Sequence, residues 1–152
     1  MKIISIIFTA FVLVFTGAQT ASADPSADQK ATIHVLQTYS AAINKGDMDA
    51  MGHSVMAEGN DFTIFEGAGS DTGWANYRDH HLAPEFANPD LKFHKFEFND
   101  IKSTIIGDWA FATFSIEKSY TYKGKDTDKT GRGTAILKRV GNVWKIKHLH
   151  TS

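Results

Sequence analysis

His148 and His150 sit two residues apart in the last segment of the chain, Trp144-Lys145-Ile146-Lys147-His148-Leu149-His150-Thr151-Ser152. Side chains along a strand alternate between its two faces, so Trp144, Ile146, His148 and His150 share one face. Lys145, Lys147 and Leu149 fall on the other. The lysines mark the wetter side, which turns Trp144 and Ile146 inward and carries both imidazoles with them. Two inward imidazoles need partners. One arrangement addresses a small ligand, another holds a divalent metal. A third is a pair of hydrogen bonds to backbone carbonyls or carboxylates that close a pocket wall.

Histidine is abundant, with seven in the chain. Six fall in segments expected to form a pocket: His53, His80, His81, His94, His148 and His150. Trp74, Tyr77 and His81 follow one another at helical spacing and make an aromatic stripe. Further along, His80-His81-Leu82-Ala83-Pro84-Glu85 places His81 and Glu85 four residues apart. Pro84 lies between them and is expected to end or kink the helix, so the two need not share a face. No HExxH spacing is present. Tyr120 shares its strand face with Phe114 and Ile116 and can bring a hydroxyl inward. Glu66 closes the apolar run Phe62-Thr63-Ile64-Phe65 and reads either as a buried acid or, more simply, as the solvated end of a strand. The glycines at 67, 69 and 73 lack the strand-turn-helix context of a phosphate loop and read as a flexible rim. Ser152 has no Ser-His-Asp context.

Ser26 and Gln29 form a capping-box pattern ahead of Ile33, Leu36, Tyr39 and Ile43, and Gly46 is a stop signal. Asp47 is expected to cap a shorter helix that buries Met48, Met51 and Val55. A third helix runs from Trp74 to Leu82. Beyond it the chain reads as strands. Leu91 and Phe93 give way to Phe96 and Phe98, a change of parity that predicts a bulge near His94-Lys95. Ile105 to Trp109 reads as a hairpin, followed by a long strand from Ala110 to Tyr122. The charged stretch from Lys123 to Thr130 reads as a loop. Thr134 to Val140 then pairs through Gly141-Asn142 with the terminal strand. Helices first and strands after predict an α+β domain in which a curved antiparallel sheet wraps around N-terminal helices.

The first 23 residues combine Lys2, an apolar run to Phe15 and the ending Ala21-Ser22-Ala23, the pattern of a secretory signal peptide cleaved after Ala23. The run is shorter than the ~20 apolar residues a membrane span requires. Residues 24–152 then form one domain, with an expected periplasmic or secreted location. A formal net charge of −1 and the lack of a basic stripe weigh against a nucleic-acid partner. No block of like charge marks a membrane surface. The chain contains no cysteine, so the core must hold the fold together without disulfides.

Four segments carry a resemblance to a known family. They are Ala42-Ile43-Asn44-Lys45-Gly46-Asp47, Ile106-Gly107-Asp108-Trp109-Ala110, Gly133-Thr134-Ala135-Ile136-Leu137 and the terminal Trp144–Ser152. In order and spacing the chain resembles the SnoaL-like, ketosteroid-isomerase-like group of the NTF2-like superfamily. That resemblance implies a cone-shaped α+β domain with a pocket between sheet and helices, commonly dimeric. Its members include isomerases, cyclases, dehydratases and binding proteins that catalyse nothing, so fold alone does not set function. No local motif carries the acidic base of the isomerases over to a residue of this chain.

The expectation is therefore a domain that binds a small, largely apolar molecule, lined by Trp74, Tyr77, His81, Tyr120, His148 and His150. A pocket histidine would supply any acid-base chemistry near neutral pH. The sequence assigns no catalytic residue and does not decide between an enzyme and a binder. No cofactor is expected. The alternatives are a divalent metal held by His81, His148 and His150, or a non-catalytic interaction module. The resemblance implies a homodimer as one assembly, and the sequence itself does not set the oligomeric state.

Overall fold

The computed structural model describes residues 26–152. The expected signal peptide and its cleavage point lie outside the described residues. Helix α1, Ala27–Lys45, starts on the capping box read from the sequence. Ser26 Oγ accepts the Gln29 N–H at 3.2 Å, and Gln29 Oε1 accepts the Ser26 N–H at 2.8 Å. Both bonds satisfy amide donors that no helical carbonyl can reach. Gly46 ends the helix at φ 64°, a left-handed conformation that glycine adopts without Cβ strain. Leu36, Tyr39 and Ile43 are the buried stripe. Helix α2, Met48–Ser54, follows under an Asp47 cap and buries Met51.

Strands β1, Thr63–Glu66, and β2, Gly69–Thr72, form a short hairpin where the sequence suggested a flexible rim. The helical stretch after it has three parts: α3, Trp74–Tyr77, a wide π-turn, Arg78–Leu82, and α4, Ala83–Ala87. In the π-turn the Ala83 N–H reaches back to the Arg78 carbonyl, five residues earlier. Pro84 has no N–H to give the helix, and the extra residue in this turn lets the chain continue past it. The proline neither ends the helix nor separates its neighbours.

The remaining strands are β3, Leu91–Ile106, β4, Trp109–Tyr122, β5, Lys125–Val140, and β6, Val143–Thr151. The sheet runs β2-β1-β6-β5-β4-β3, curved and unclosed. All neighbours are antiparallel except β1 and β6, which are parallel. The sheet is thus mixed rather than purely antiparallel, because the first strand returns from the helices on the free edge of the last. The stretch from Lys123 to Thr130, expected as a loop, is instead the tip of the β4–β5 hairpin. Lys123 and Gly124 turn it with φ of 51° and 74°, the double positive φ of a type I′ connection. Its charges stand out into solvent at the end of the sheet, which is why composition there imitates a loop.

Register shifts at Phe93/Lys95 and Asn99/Lys102 bend β3 around α1. The first confirms the bulge expected at His94. Buried polar links then hold helix to sheet: Asn44 Nδ2 donates to the Phe96 carbonyl at 2.9 Å, and the Thr32 and Ser103 hydroxyls meet at 2.8 Å. Between these layers lies an aromatic core in which Phe98 stacks on Tyr39 and Phe114. Gly133 faces Phe114, whose ring sits 2.1 Å from where a Cβ would be, so any side chain there would displace the core.

A further bulge decides the fate of the terminal histidines. Ile136 pairs with His148 and Leu137 with Ile146, leaving Lys147 as the extra residue in β6. Trp144 and Ile146 point inward as the sequence predicts. Past Lys147 the alternation flips. Leu149 and Thr151 turn into the core, and His148 and His150 stand on the outer face of the sheet.

Candidate functional site

The base of the cone opens into a cavity of about 460 Å³ between the sheet and the α3–α4 stretch, within the range of small-molecule sites, ~300–1,000 Å³. Its sheet wall is apolar, built from Phe93, Phe96, Ile116 and Tyr120. Strand alternation explains the last two: Phe114, Ile116, Lys118 and Tyr120 share the inner face of β4. The opposite end is polar and belongs to Glu66, His81 and Glu85.

His81 is the centre of that end. Its Nδ1 lies 3.1 Å from Asp71 Oδ2, and its Nε2 lies 3.3 Å from Glu66 Oε2 and 3.7 Å from Glu85 Oε1. The π-turn positions it. The helical path runs unbroken through the π-turn and past Pro84, so His81 and Glu85, four residues apart, do share a face. Glu66 follows Ile64 by two residues on β1 and points inward with it. Tyr77, buried at 2% exposure, donates its hydroxyl to Glu66 Oε2 at 2.9 Å. Behind it stands the hydroxyl of Tyr39, fully buried and without a hydrogen-bond partner. Its phenol lies close enough to Tyr77 and Glu66 to interact electrostatically, but not in hydrogen-bond geometry. Burial pushes both phenols well above the usual tyrosine range, so they stay protonated.

Glu85 has a different setting. Burial raises its carboxyl above the usual glutamate value, His81 pulls it down, and Glu66 pushes it up again. It accepts no direct hydrogen bond from the protein, and His81 Nε2 lies 3.7 Å from its Oε1. Lys118 is the other basic group of the cavity, and its charge also favours the ionised form of Glu85.

Of the residues expected to line a pocket, His81 and Tyr120 meet in this cavity. Tyr77 lies directly behind its polar end and reaches it through Glu66. Trp74 is packed in the core against Gly52 and Phe62, away from the opening. His148 and His150 are on the far side of the sheet. There His148 Nδ1 pairs with Thr63 Oγ1 at 2.7 Å, and both rings meet the edge of Phe65, which is 48% exposed. Burial, with a smaller push from His150, lowers the His148 pKa and favours its neutral form. Because they face away from His81, these two histidines cannot join it around one metal. Among the described residues no group of three His, Cys, Asp or Glu side chains is arranged to hold a metal ion.

Sequence reasoning passed over Asp71 and Lys118, read Glu66 chiefly as a strand end, and set Glu85 apart from His81 because of Pro84. Two of these carried a signal in strand parity, since Glu66 shares the parity of Ile64 and Lys118 that of Ile116. Asp71 carried none, because a hairpin in place of a loop brings it in, and the signal of Glu85, its spacing of four from His81, was discounted for Pro84.

The geometry is that of an acid-base pair, partly open to solvent, at one end of a cavity with an apolar wall. Asp71 orients the imidazole through Nδ1, and Nε2 is left facing the carboxylates and the cavity. Residues 33–152 match the SnoaL-like domain family. The chain belongs to that family.

Solved structures give the same fold. A protein provisionally named a ketosteroid isomerase, from Shewanella frigidimarina, is 26% identical with a TM-score of 0.66, covering 80% of this chain and 94% of that one. One named an aromatic ring hydroxylase on the same provisional footing, from Novosphingobium aromaticivorans, has a TM-score of 0.74 at 20% identity, covering 86% and 91%. An NTF2-like superfamily protein from Salmonella enterica has a TM-score of 0.67 at 18% identity, covering 81% and 90%. No curated protein sequence matches the chain.

Proposed function

We propose that this domain binds a small, largely apolar molecule in the cavity and moves a proton on it, with His81 as the acid-base group. One observation carries the reading: His81 is held through Nδ1 by Asp71 while Nε2 meets Glu66 and Glu85 at the polar end of the cavity. Glu66 is the partner that accepts or returns the proton. Tyr77 holds that carboxylate in place. Phe93, Ile116 and Tyr120 exclude water from the rest of the bound molecule, which strengthens the charges at the reacting end. The isomerase name of the Shewanella protein fits this class of chemistry, proton transfer at a carbon next to a carbonyl.

Ligand-observed NMR with small cyclic ketones, run in D₂O, tests both halves. The wild type should bind members of the panel and catalyse exchange of their α-protons. His81→Gln should keep binding and lose exchange by ~10²-fold or more, the usual weight of a positioned acid-base group. Equal exchange in wild type and His81→Gln would overturn the role of His81, and no binding at all would overturn the site.

Three other expectations stay as proposals. The N-terminal segment would direct export, and mass analysis of the mature chain tests it. Two copies would pair through the outer face of the sheet, where Phe65, Phe111 and Ile136 are exposed, which sedimentation equilibrium tests. A binder without catalysis would use the same cavity, and the exchange assay separates it from the enzyme. No helix among the described residues is long and apolar enough to cross a membrane.

A further inference from the structure

We propose that the cavity selects, among small apolar molecules, those that carry a protonated amine, and that Glu85 together with Glu66 is what selects them. The proposal rests on the reading of the cavity as a small-molecule site. It begins from an imbalance of charge. Three carboxylates, Glu66, Asp71 and Glu85, converge on a single imidazole, and Lys118 is the other cation of the cavity. Even a doubly protonated His81 leaves the polar end negative by one charge. A neutral His81 leaves it negative by two.

These carboxylates are not equally provided for. Asp71 has the His81 Nδ1 and also accepts from Asn76 Nδ2 at 2.9 Å. Glu66 has Tyr77 and His81. Glu85 has only the shared Nε2 at 3.7 Å, beyond hydrogen-bond reach. It is the acceptor short of protein donors, left to water through the 42% of its side chain that is exposed, and it lines the cavity. Its carboxyl is raised by burial, as expected of an acid that lacks them. An ammonium group offers three donors and a positive charge to that position. A carboxylate ligand would add a further like charge in a partly desolvated space, which is strongly disfavoured.

The walls suit the same ligand. Phe93 and Tyr120, with ring centroids 6.3 Å apart at 58°, belong to the apolar wall across the cavity from the acidic end. Such rings take the apolar body of the ligand while its ammonium meets the carboxylates. Lys118 is the counterweight. It stands near enough to Glu85 to lower its pKa, so it weakens the attraction for a cation without reversing the net charge.

The test uses three probes on one ring: 2-phenylethylammonium, 2-phenylethanol and phenylacetate. Their binding to the wild-type domain is measured by titration calorimetry at neutral pH and at low salt, about 20 mM, where screening is weak. The amine should bind ~10-fold or more tightly than the alcohol, and the carboxylate more weakly than either. In Glu85→Gln the difference between amine and alcohol should collapse toward ~2-fold, and in Lys118→Gln it should widen. The two variants move in opposite directions, so general unfolding cannot imitate the pattern. Circular dichroism of each variant checks the fold. If the alcohol binds and the amine binds no better, the selection is wrong while the small-molecule site stands. If the preference survives Glu85→Gln, the selecting residue is wrong. If none of the three binds, the reading of the cavity itself falls.

Discussion

Replacing Tyr77 by phenylalanine isolates one bond in the polar end of the cavity. The ring stays, packed 6.0 Å from Phe62 and 4.9 Å from His81 between centroids, and only the 2.9 Å bond to Glu66 Oε2 is lost. A hydrogen bond to a charged group contributes ~1.5–3 kcal/mol. Glu66 would not be orphaned, since His81 Nε2 remains at 3.3 Å and its side chain keeps 28% exposure through which water can substitute. The cost therefore falls at the lower end, ~1–2 kcal/mol, well short of the ~3–5 kcal/mol of an uncompensated buried charge. Chemical denaturation at neutral pH measures it, with the slope m unchanged if only stability moves. Crossing Tyr77→Phe with Glu66→Gln should give a coupling of ~1 kcal/mol. Because Glu66 also meets His81, the ring resonances of His81 should shift in Tyr77→Phe while those of His148 stay put. A coupling under ~0.3 kcal/mol would mean that Tyr77 does not hold Glu66. The proton path through His81 would then need another anchor.

Tyr39→Phe should leave stability unchanged or raise it by ~0.5–1 kcal/mol, because the deleted hydroxyl is buried with no partner. A loss above ~1 kcal/mol in the same denaturation assay would show that it has one. His148→Ala and His150→Ala should each leave affinity for cavity probes within ~2-fold, since both stand on the outer face of the sheet; a ~10-fold loss in calorimetry would restore them to the site. At acid pH the Arg139 guanidinium beside Asp28, at 2.5 Å, holds the carboxyl below its usual value. The stability from this pair is complete above the unfolded carboxylate pKa of ~3.9 and is lost as pH falls through the lower folded value. Arg139→Ala should flatten the acid limb of a stability-versus-pH curve, and an unchanged limb would refute the pairing.

Much of the fold was legible because its signals are local. The capping box at Ser26, the stop at Gly46, the parity change at His94 and the alternation of β4 each lie within a few residues of what they determine. The polar end of the cavity was less legible, and the physical reason is the same at each position. Lys147 reads as one more alternating residue, yet it is bulged because Ile136 and Leu137 across the ladder pair with His148 and Ile146. That register depends on strands closed from far along the chain, including the parallel contact of Thr63 with His148 and Phe65 with His150. One inserted residue exchanges every side chain beyond it between faces. It moves two imidazoles out and seats Leu149 and Thr151 in their place. The π-turn acts in the opposite sense. Pro84 appeared to part His81 from Glu85, but the helical path runs on through the turn and past the proline, and both reach the cavity, where Glu66 and Asp71 wait on a hairpin that composition disguised as a loop. A chain with seven histidines thus commits one of them to the cavity, and it is chosen by two single-residue irregularities rather than by any motif.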